Sequence, residues 1–230
     1  MRQGGLTKST ALDFPGQVAA VLFTQGCNFT CPYCHNPHLA GLLGESLDEE
    51  EVLAFLQRRR RLLEGVVISG GEPTLQPDLA GFCEKLQGLG YAVKLDTNGS
   101  APGLVNALIE GRLVNYLALD IKADPRAYPA EIAPEQPAIL ETISILKHSG
   151  LPHEYRVTAA APFINRRSLE SIARAAAGRA PLFIQPCRLT TNLDPEFMNR
   201  HPPPGLEELR LWAASAAAHL PVHLRESRSS

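Results

Sequence analysis

No run in this chain approaches the roughly 18 consecutive apolar residues that span a bilayer, and Met1 to Thr10 holds no apolar core of a secretory leader. Nor is there an excess of charge of one sign. The 22 Lys and Arg stand against 24 Asp and Glu, for a formal net charge of −2. Sequence-independent binding to nucleic-acid phosphates is therefore not suggested. The one basic run, Arg58-Arg59-Arg60-Arg61, falls at the end of a predicted helix. Cations suit the negative end of a helix dipole, so it reads as a solvated helix end. Cysteines number five, an odd count unevenly clustered. That does not describe a secreted disulfide framework, and a reducing cytoplasm is the natural setting. A spaced-glycine dinucleotide fingerprint, a Walker loop and low-complexity segments are also missing. What remains is an ordinary globular composition, 44% hydrophobic and 20% charged over 230 residues. It suits one sizeable α/β domain or two small ones.

Against that background one stretch stands out, Gly26-Cys27-Asn28-Phe29-Thr30-Cys31-Pro32-Tyr33-Cys34-His35-Asn36-Pro37. Its cysteines follow C-x3-C-x2-C, close enough for three thiolates to converge on one metal or cluster. A four-iron cube normally takes four thiolates, and the remaining two, Cys83 and Cys187, lie far off in the chain. A cube held here would leave one iron open to a substrate or cofactor. Read alone, the same residues also suit a Cys3His zinc site with His35, or a redox or disulfide role.

The rest of the chain alternates strands and helices. An extended segment from Gly4 closes in the turn Asp13-Phe14-Pro15-Gly16, and the apolar run Val18 to Phe23 reads as a strand buried on both faces. The cysteine loop follows directly. Asp48 caps a helix to about Leu63. Gly65 to Ile68 is a second strand, running into Ser69-Gly70-Gly71-Glu72-Pro73. Further strands are expected at Tyr91 to Leu95, Tyr116 to Ile121, Glu154 to Thr158 and Pro181 to Gln185. Helices are expected at about 77–89, 103–110, 138–149, 168–177 and 206–219, and Pro221 to Arg225 as an extended tail. Six βα units fit this length, whereas a complete eight-fold barrel usually needs about 250 residues. The expected architecture is an α/β, partial (β/α)6 barrel in a single domain. Residues 1–17 would be an N-terminal extension, 18–187 the barrel core, and 188–230 a C-terminal helix and tail.

Strand parity gathers polar side chains on one face. Lys94 and Asp96 oppose Val93 and Leu95. Asp120 and Lys122 oppose Leu119 and Ile121, Arg156 and Thr158 oppose Tyr155 and Val157, and Phe183 and Gln185 oppose Leu182 and Ile184. Charges buried without partners are costly, so a polar ligand is expected at these strand ends. Lys122 and Arg156 could meet a carboxylate or ribose oxygens. Asp96 and Asp120 could meet an amine, hydroxyls or a cation. A structural network, Asp120–Lys122 and Asp96–Lys94, is the plainer alternative. Gly70 and Gly71 could let the backbone approach a ligand closely, or simply form a turn.

The cysteine loop with Tyr33 before its last cysteine, the Gly70-Gly71-Glu72-Pro73 turn after the second strand and the six-fold rhythm together resemble the radical S-adenosylmethionine (radical SAM) superfamily. Within it the chain resembles the activating enzymes of glycyl-radical enzymes, most closely those serving anaerobic ribonucleoside-triphosphate reductase. The matching stretches are Gly4-Gly5-Leu6, Asp13-Phe14-Pro15-Gly16, Phe23 to Phe29, Ile68 to Gln76, Lys94 to Gly99 and Asp120-Ile121-Lys122. The 7-carboxy-7-deazaguanine synthases are the rival within the superfamily. The resemblance implies a 4Fe-4S cluster on Cys27, Cys31 and Cys34, whose open iron is chelated by S-adenosylmethionine (SAM). It implies Tyr33 and His35 near the adenine, and Gly70, Gly71 and Glu72 at the methionyl amine. It further implies a monovalent cation at Asp96, Thr97 and Asp120 and a cofactor contact at Lys122. Asn98, in a matching stretch, and Arg156, from strand parity, complete the expected cofactor-binding set. Reductive cleavage of SAM would give a 5′-deoxyadenosyl radical that takes a hydrogen from a glycine Cα of a partner enzyme. Flavodoxin or ferredoxin is the implied electron donor. Cys83 reads as a packed core thiol. Cys187 stays open.

Overall fold

A computed structural model describes residues 1–42, 45–187, 193–194 and 196–225. Parts of the expected C-terminal helix-and-tail segment, 188–192, 195 and 226–230, lie outside the described residues. The strands are β1 (Gln3–Thr10), β2 (Ala19–Thr24), β3 (Gly65–Gly70), β4 (Ala92–Thr97), β5 (Tyr116–Asp120), β6 (His153–Ala159), β7 (Leu182–Pro186) and β8 (Val222–Leu224). The helices are α1 (Pro37–Ala40), α2 (Glu49–Arg59), α3 (Leu79–Gly88), α4 (Pro102–Glu110), α5 (Ile139–Ser149), α6 (Arg166–Ala175), α7 (Phe197–Arg200) and α8 (Leu206–Ala216). The chain forms two compact units. One comprises Met1–Asn28, His38–Thr97 and Gly103–Leu117; the other comprises Phe29–Pro37, Asn98–Pro102 and Ala118–Ser230.

In the first unit β2, β3 and β4 run parallel, with Leu22 opposite Ile68 and Ile68 opposite Leu95. The expected extended lead-in is instead β1, antiparallel to β2 with Leu6 opposite Leu22. Ala19, Val21 and Val67 pack with Phe14, and Phe23, Ala92 and Tyr116 join them. The Phe14 ring lies so close to Gly65 that a Cβ there would stand 2.8 Å from it. The expected Asp13–Gly16 turn is present, closed by Gln17 N donating to Phe14 O at 3.1 Å. Helix α2 starts where Asp48 accepts from Glu51 N and carries Glu49 to Glu51 in its first turn, as a cap and a dipole require. Its basic C-terminal run, Arg58 to Arg61, is exposed.

In the second unit β6, β7 and β8 are parallel, with Arg156 opposite Phe183 and Phe183 opposite His223. The expected tail is thus a strand. Tyr155, Val157, Leu182 and Ile184 are buried, as parity requires. Helix α6 opens on a reciprocal capping box between Asn165 and Ser168, and α5 ends at Gly150 with φ +70°. No helix among the described residues is long and apolar enough to cross a membrane.

Candidate active site

In the first unit the β2 end and the β3 end are tied together. Gly26 N donates to Leu39 O at 2.8 Å and Cys27 N to Ala40 O at 3.0 Å. Gly71 N donates to Thr24 O and Glu72 N to Gly26 O. The backbones are so close that a Cβ on Gly70, whose φ is +118°, would sit 2.3 Å from Thr24 N. One on Gly71 would sit 2.1 Å from Gly26 O. Chain against chain, rather than chain against ligand, is the visible reason for both glycines.

Glu72 is buried, and its Oε1 accepts from Thr74 N at 3.0 Å, from Thr74 Oγ1 at 2.6 Å and from Thr97 Oγ1 at 2.6 Å. It caps the short 3-10 turn Pro73–Leu75. Beside it on β4, Lys94 Nζ stands 2.6 Å from Asp96 Oδ1, with the two residues 1% and 9% exposed. The ammonium also lies 5.9 Å from the centre of the Tyr116 ring. The plainer expectation of a Lys94–Asp96 network is met.

In the second unit Thr30 is pinned through its N and Oγ1 to the carbonyls of Ile132 and Glu131. Cys34 N donates to Cys31 O at 3.0 Å, closing a tight turn that carries two thiols. Between them Tyr33 is buried. Its hydroxyl donates to Lys122 O at 3.1 Å and its ring packs on Phe163 and Phe197. Burial pushes the Tyr33 phenol far up, with the charge of Cys31 adding to the effect. His35 is exposed. Asn98 Oδ1 accepts from Ser100 N at 2.9 Å, and Gly99, at φ +75°, fits where a Cβ would meet Leu119 at 2.3 Å. Asn98 thus shapes the turn after β4.

Asp120 accepts from Arg156 Nε at 2.8 Å and from Nη2 at 3.4 Å, with Lys122 Nζ also at 3.4 Å. Burial works to raise the Asp120 carboxyl, but the charges of Arg156 and Lys122 and their hydrogen bonds outweigh it and hold it at about 2. Burial likewise works against the Lys122 ammonium, and Asp120 outweighs it, so the lysine is raised.

Two groups escaped the sequence reading. Glu154, 2% exposed, faces Arg156 at 3.9 Å and Arg225 at 3.5 Å. Its parity with Arg156 and Thr158 on β6 could have found it. Tyr128, whose hydroxyl accepts from Lys122 N at 2.9 Å, lies in an irregular segment with no periodic signal. Cys83 is buried in α3, where burial pushes its thiol up to about 12, as suits a packed core residue. Cys187 Sγ lies 3.6 Å from Met198 Sδ, in a buried sulfur pair.

Among the described residues no three His, Cys, Asp or Glu side chains are grouped as a preformed metal site. By the chemistry of its donors the cysteine loop fits an iron–sulfur cluster. All three of its thiols are unbridged, and each carrier residue is fixed by backbone hydrogen bonds of its own or of its neighbour. A monovalent cation fits less well. Asp96 already holds the Lys94 ammonium, Thr97 donates to Glu72, and Asp120 is paired with Arg156 and Lys122. A further cation would meet like charge at each carboxylate.

Residues 21–176 match the sequence model of the Radical SAM superfamily. A Methanocaldococcus jannaschii protein, provisionally named a glycyl-radical enzyme activating enzyme, is 30% identical over 90% of this chain and 88% of its own length. A 7-carboxy-7-deazaguanine synthase from Hyperthermus butylicus is 38% identical, over only 39% of this chain and 38% of the synthase. Among solved structures, Streptococcus suis SuiB bound to its precursor peptide SuiA superposes with a TM-score of 0.64 at 13% identity. That match covers 88% of this chain and 48% of SuiB, and it shows the fold alone, the partial (β/α)6 barrel. With more than half its length matched to the family and a relative of nearly equal extent, the chain belongs to the radical SAM superfamily, as an enzyme whose cofactors are a 4Fe-4S cluster and SAM.

Proposed function

We propose that the chain is an activating enzyme that removes a hydrogen from a glycine Cα of a glycyl-radical enzyme, with anaerobic ribonucleoside-triphosphate reductase as its target. The observation that supports this most is the near full-length match to the M. jannaschii protein, set against partial coverage of the synthase. In this reading residues 1–230 act as one catalytic domain in the cytoplasm, and flavodoxin or ferredoxin supplies the electron. Cys27, Cys31 and Cys34 hold the cluster. Bound together, cluster and SAM supply a carbon radical strong enough to break an unactivated C–H bond.

The chain's own residues position and shield. The Gly70-Gly71-Glu72 turn, fixed against the β2 end, presents its backbone to the methionyl end of SAM, and Glu72 is held in one orientation by Thr74 and Thr97. Tyr33, packed against the stacked rings of Phe163 and Phe197, keeps water from the loop and stiffens it, with His35 close by in sequence on the proposed adenine side. Asp120, Lys122 and Arg156 form a charged network suited to the polar parts of the cofactor. Asp96, Thr97 and Asn98, at the end of β4, are proposed as further cofactor contacts.

Electron paramagnetic resonance tests the proposal. Anaerobically reconstituted protein, purified anaerobic reductase, SAM and dithionite should give a stable glycyl-radical doublet. SAM cleavage with no doublet on any glycyl-radical partner, alongside turnover of a deazapurine precursor, would favour the synthase chemistry instead.

A further inference from the structure

The cation expected at Asp96 from the resemblance does not suit the residues found there, and the reason lies in the preceding turn of the strand. Lys94 and Asp96 are two apart on β4, so their side chains leave the same face. Lys94 lies opposite Val67 in the β3–β4 register, deep in the strand rather than at its end. Its ammonium stands 2.6 Å from Asp96 Oδ1 and 5.9 Å from the centre of the Tyr116 ring. Lysine is 1% exposed here, and such a residue is rarely kept without a use. A buried ion pair is generally no more stabilising than two well-packed apolar residues.

We infer that the Lys94 ammonium is the resident cation of Asp96, so that this chain needs no sodium or potassium ion at that strand end. Lys94 is then a positioning residue. It holds the Asp96 carboxylate through Oδ1 and so fixes its direction. The inference rests on reading the β4 end as part of the cofactor face. Its central claim, that no solution cation binds at Asp96, can be read without any turnover.

The test compares cluster-reconstituted protein in potassium chloride, sodium chloride and tetramethylammonium chloride at equal ionic strength. A cation bound by the native state raises the melting temperature saturably, so the unaltered protein should melt within about 1 °C in all three salts. A saturable rise of about 4 °C or more with potassium or sodium would overturn the inference. Lys94→Ala should acquire the missing dependence, with potassium or ethylammonium raising its melting temperature and tetramethylammonium failing to. Lys94→Ala that melts equally in every salt would also count against it. If that variant does not fold, Lys94→Arg keeps a cation in place and should remain indifferent to salt identity; dependence on potassium in Lys94→Arg would sink the idea. SAM affinity by equilibrium dialysis should change less than about two-fold between the salts for the unaltered protein, and a loss of about ten-fold in tetramethylammonium would contradict it. Failure to bind SAM in every salt would instead sink the functional reading, while the melting series still decides this one.

Discussion

Asp96 and Asp120 are both strand-end carboxylates two residues from a lysine, yet they are held in different ways. Lys94 precedes Asp96 within β4, and the pair is almost wholly out of water. Lys122 follows Asp120 beyond the end of β5, and Asp120, 27% exposed at its side chain, is shared between Lys122 and the Arg156 fork. Parity makes both pairs possible, and depth in the strand decides what each is worth. In a dry setting the loss of one ion of a pair leaves the other poorly compensated, whereas near water a carboxylate shared between two cations stays neutralised when one is lost.

The largest expected effect belongs to the three loop cysteines. Cys27→Ala, Cys31→Ala and Cys34→Ala should each lose most of the iron bound on anaerobic reconstitution and reduce SAM cleavage to background. A variant that keeps both would show that its cysteine is not a cluster ligand. Next comes the dry pair. Lys94→Met or Asp96→Asn should cost about 3–5 kcal/mol in denaturant unfolding, because the remaining group is stranded, and the double substitution Lys94→Met/Asp96→Leu should cost less than either. If the double variant is worse than both singles, the pair contributes more than the neutralisation of two buried charges.

The wetter network should respond to acid. Its carboxyl is depressed to about 2 from an ordinary 3.8, so the stabilisation is fully present above the unfolded value and fades as pH falls through about 2. Asp120→Asn should therefore flatten the pH dependence of stability between about pH 4 and pH 2, by on the order of 2 kcal/mol. An unchanged acid limb would show that Arg156 and Lys122 bind Asp120 no better than water does. The smallest effect belongs to a thiol outside both networks. Cys83→Ala should cost about 1 kcal/mol in unfolding and leave SAM cleavage intact.

How much of this could be read in the amino-acid order follows from the same physics. The alternation on β4, β5 and β6 is a two-residue rule, so Lys94/Asp96, Asp120 and Arg156 were assigned to their faces without coordinates. The start of α2 was likewise announced, by Asp48, whereas α6 was placed from Ser168 and begins two residues earlier, at Arg166, behind the Asn165 cap. Strand β1 was read only as an extended lead-in, because two glycines and the polar run Thr7 to Thr10 gave it no apolar stretch, and its pairing with β2 makes it a strand. Strand β8 is three residues long and depends on β7 in the same way. Gly70 and Gly71 were read as room for a ligand or as a simple turn, and neither reading reported the close backbone of Thr24 and Gly26. Such a contact joins segments more than 40 residues apart, which no local pattern reports.

Strand β8 has a further consequence for how the second unit comes into being. Arg225 donates its backbone N–H to Ile184 O, lies 4.3 Å from the centre of the Phe183 ring, and reaches Glu154. During synthesis, residues 153–186 would leave the ribosome with one sheet margin bare and Glu154 without its Arg225 contact. Only when the chain has grown past residue 225 can that margin be sealed, so nascent chains halted before that point should be the ones most inclined to stick to one another.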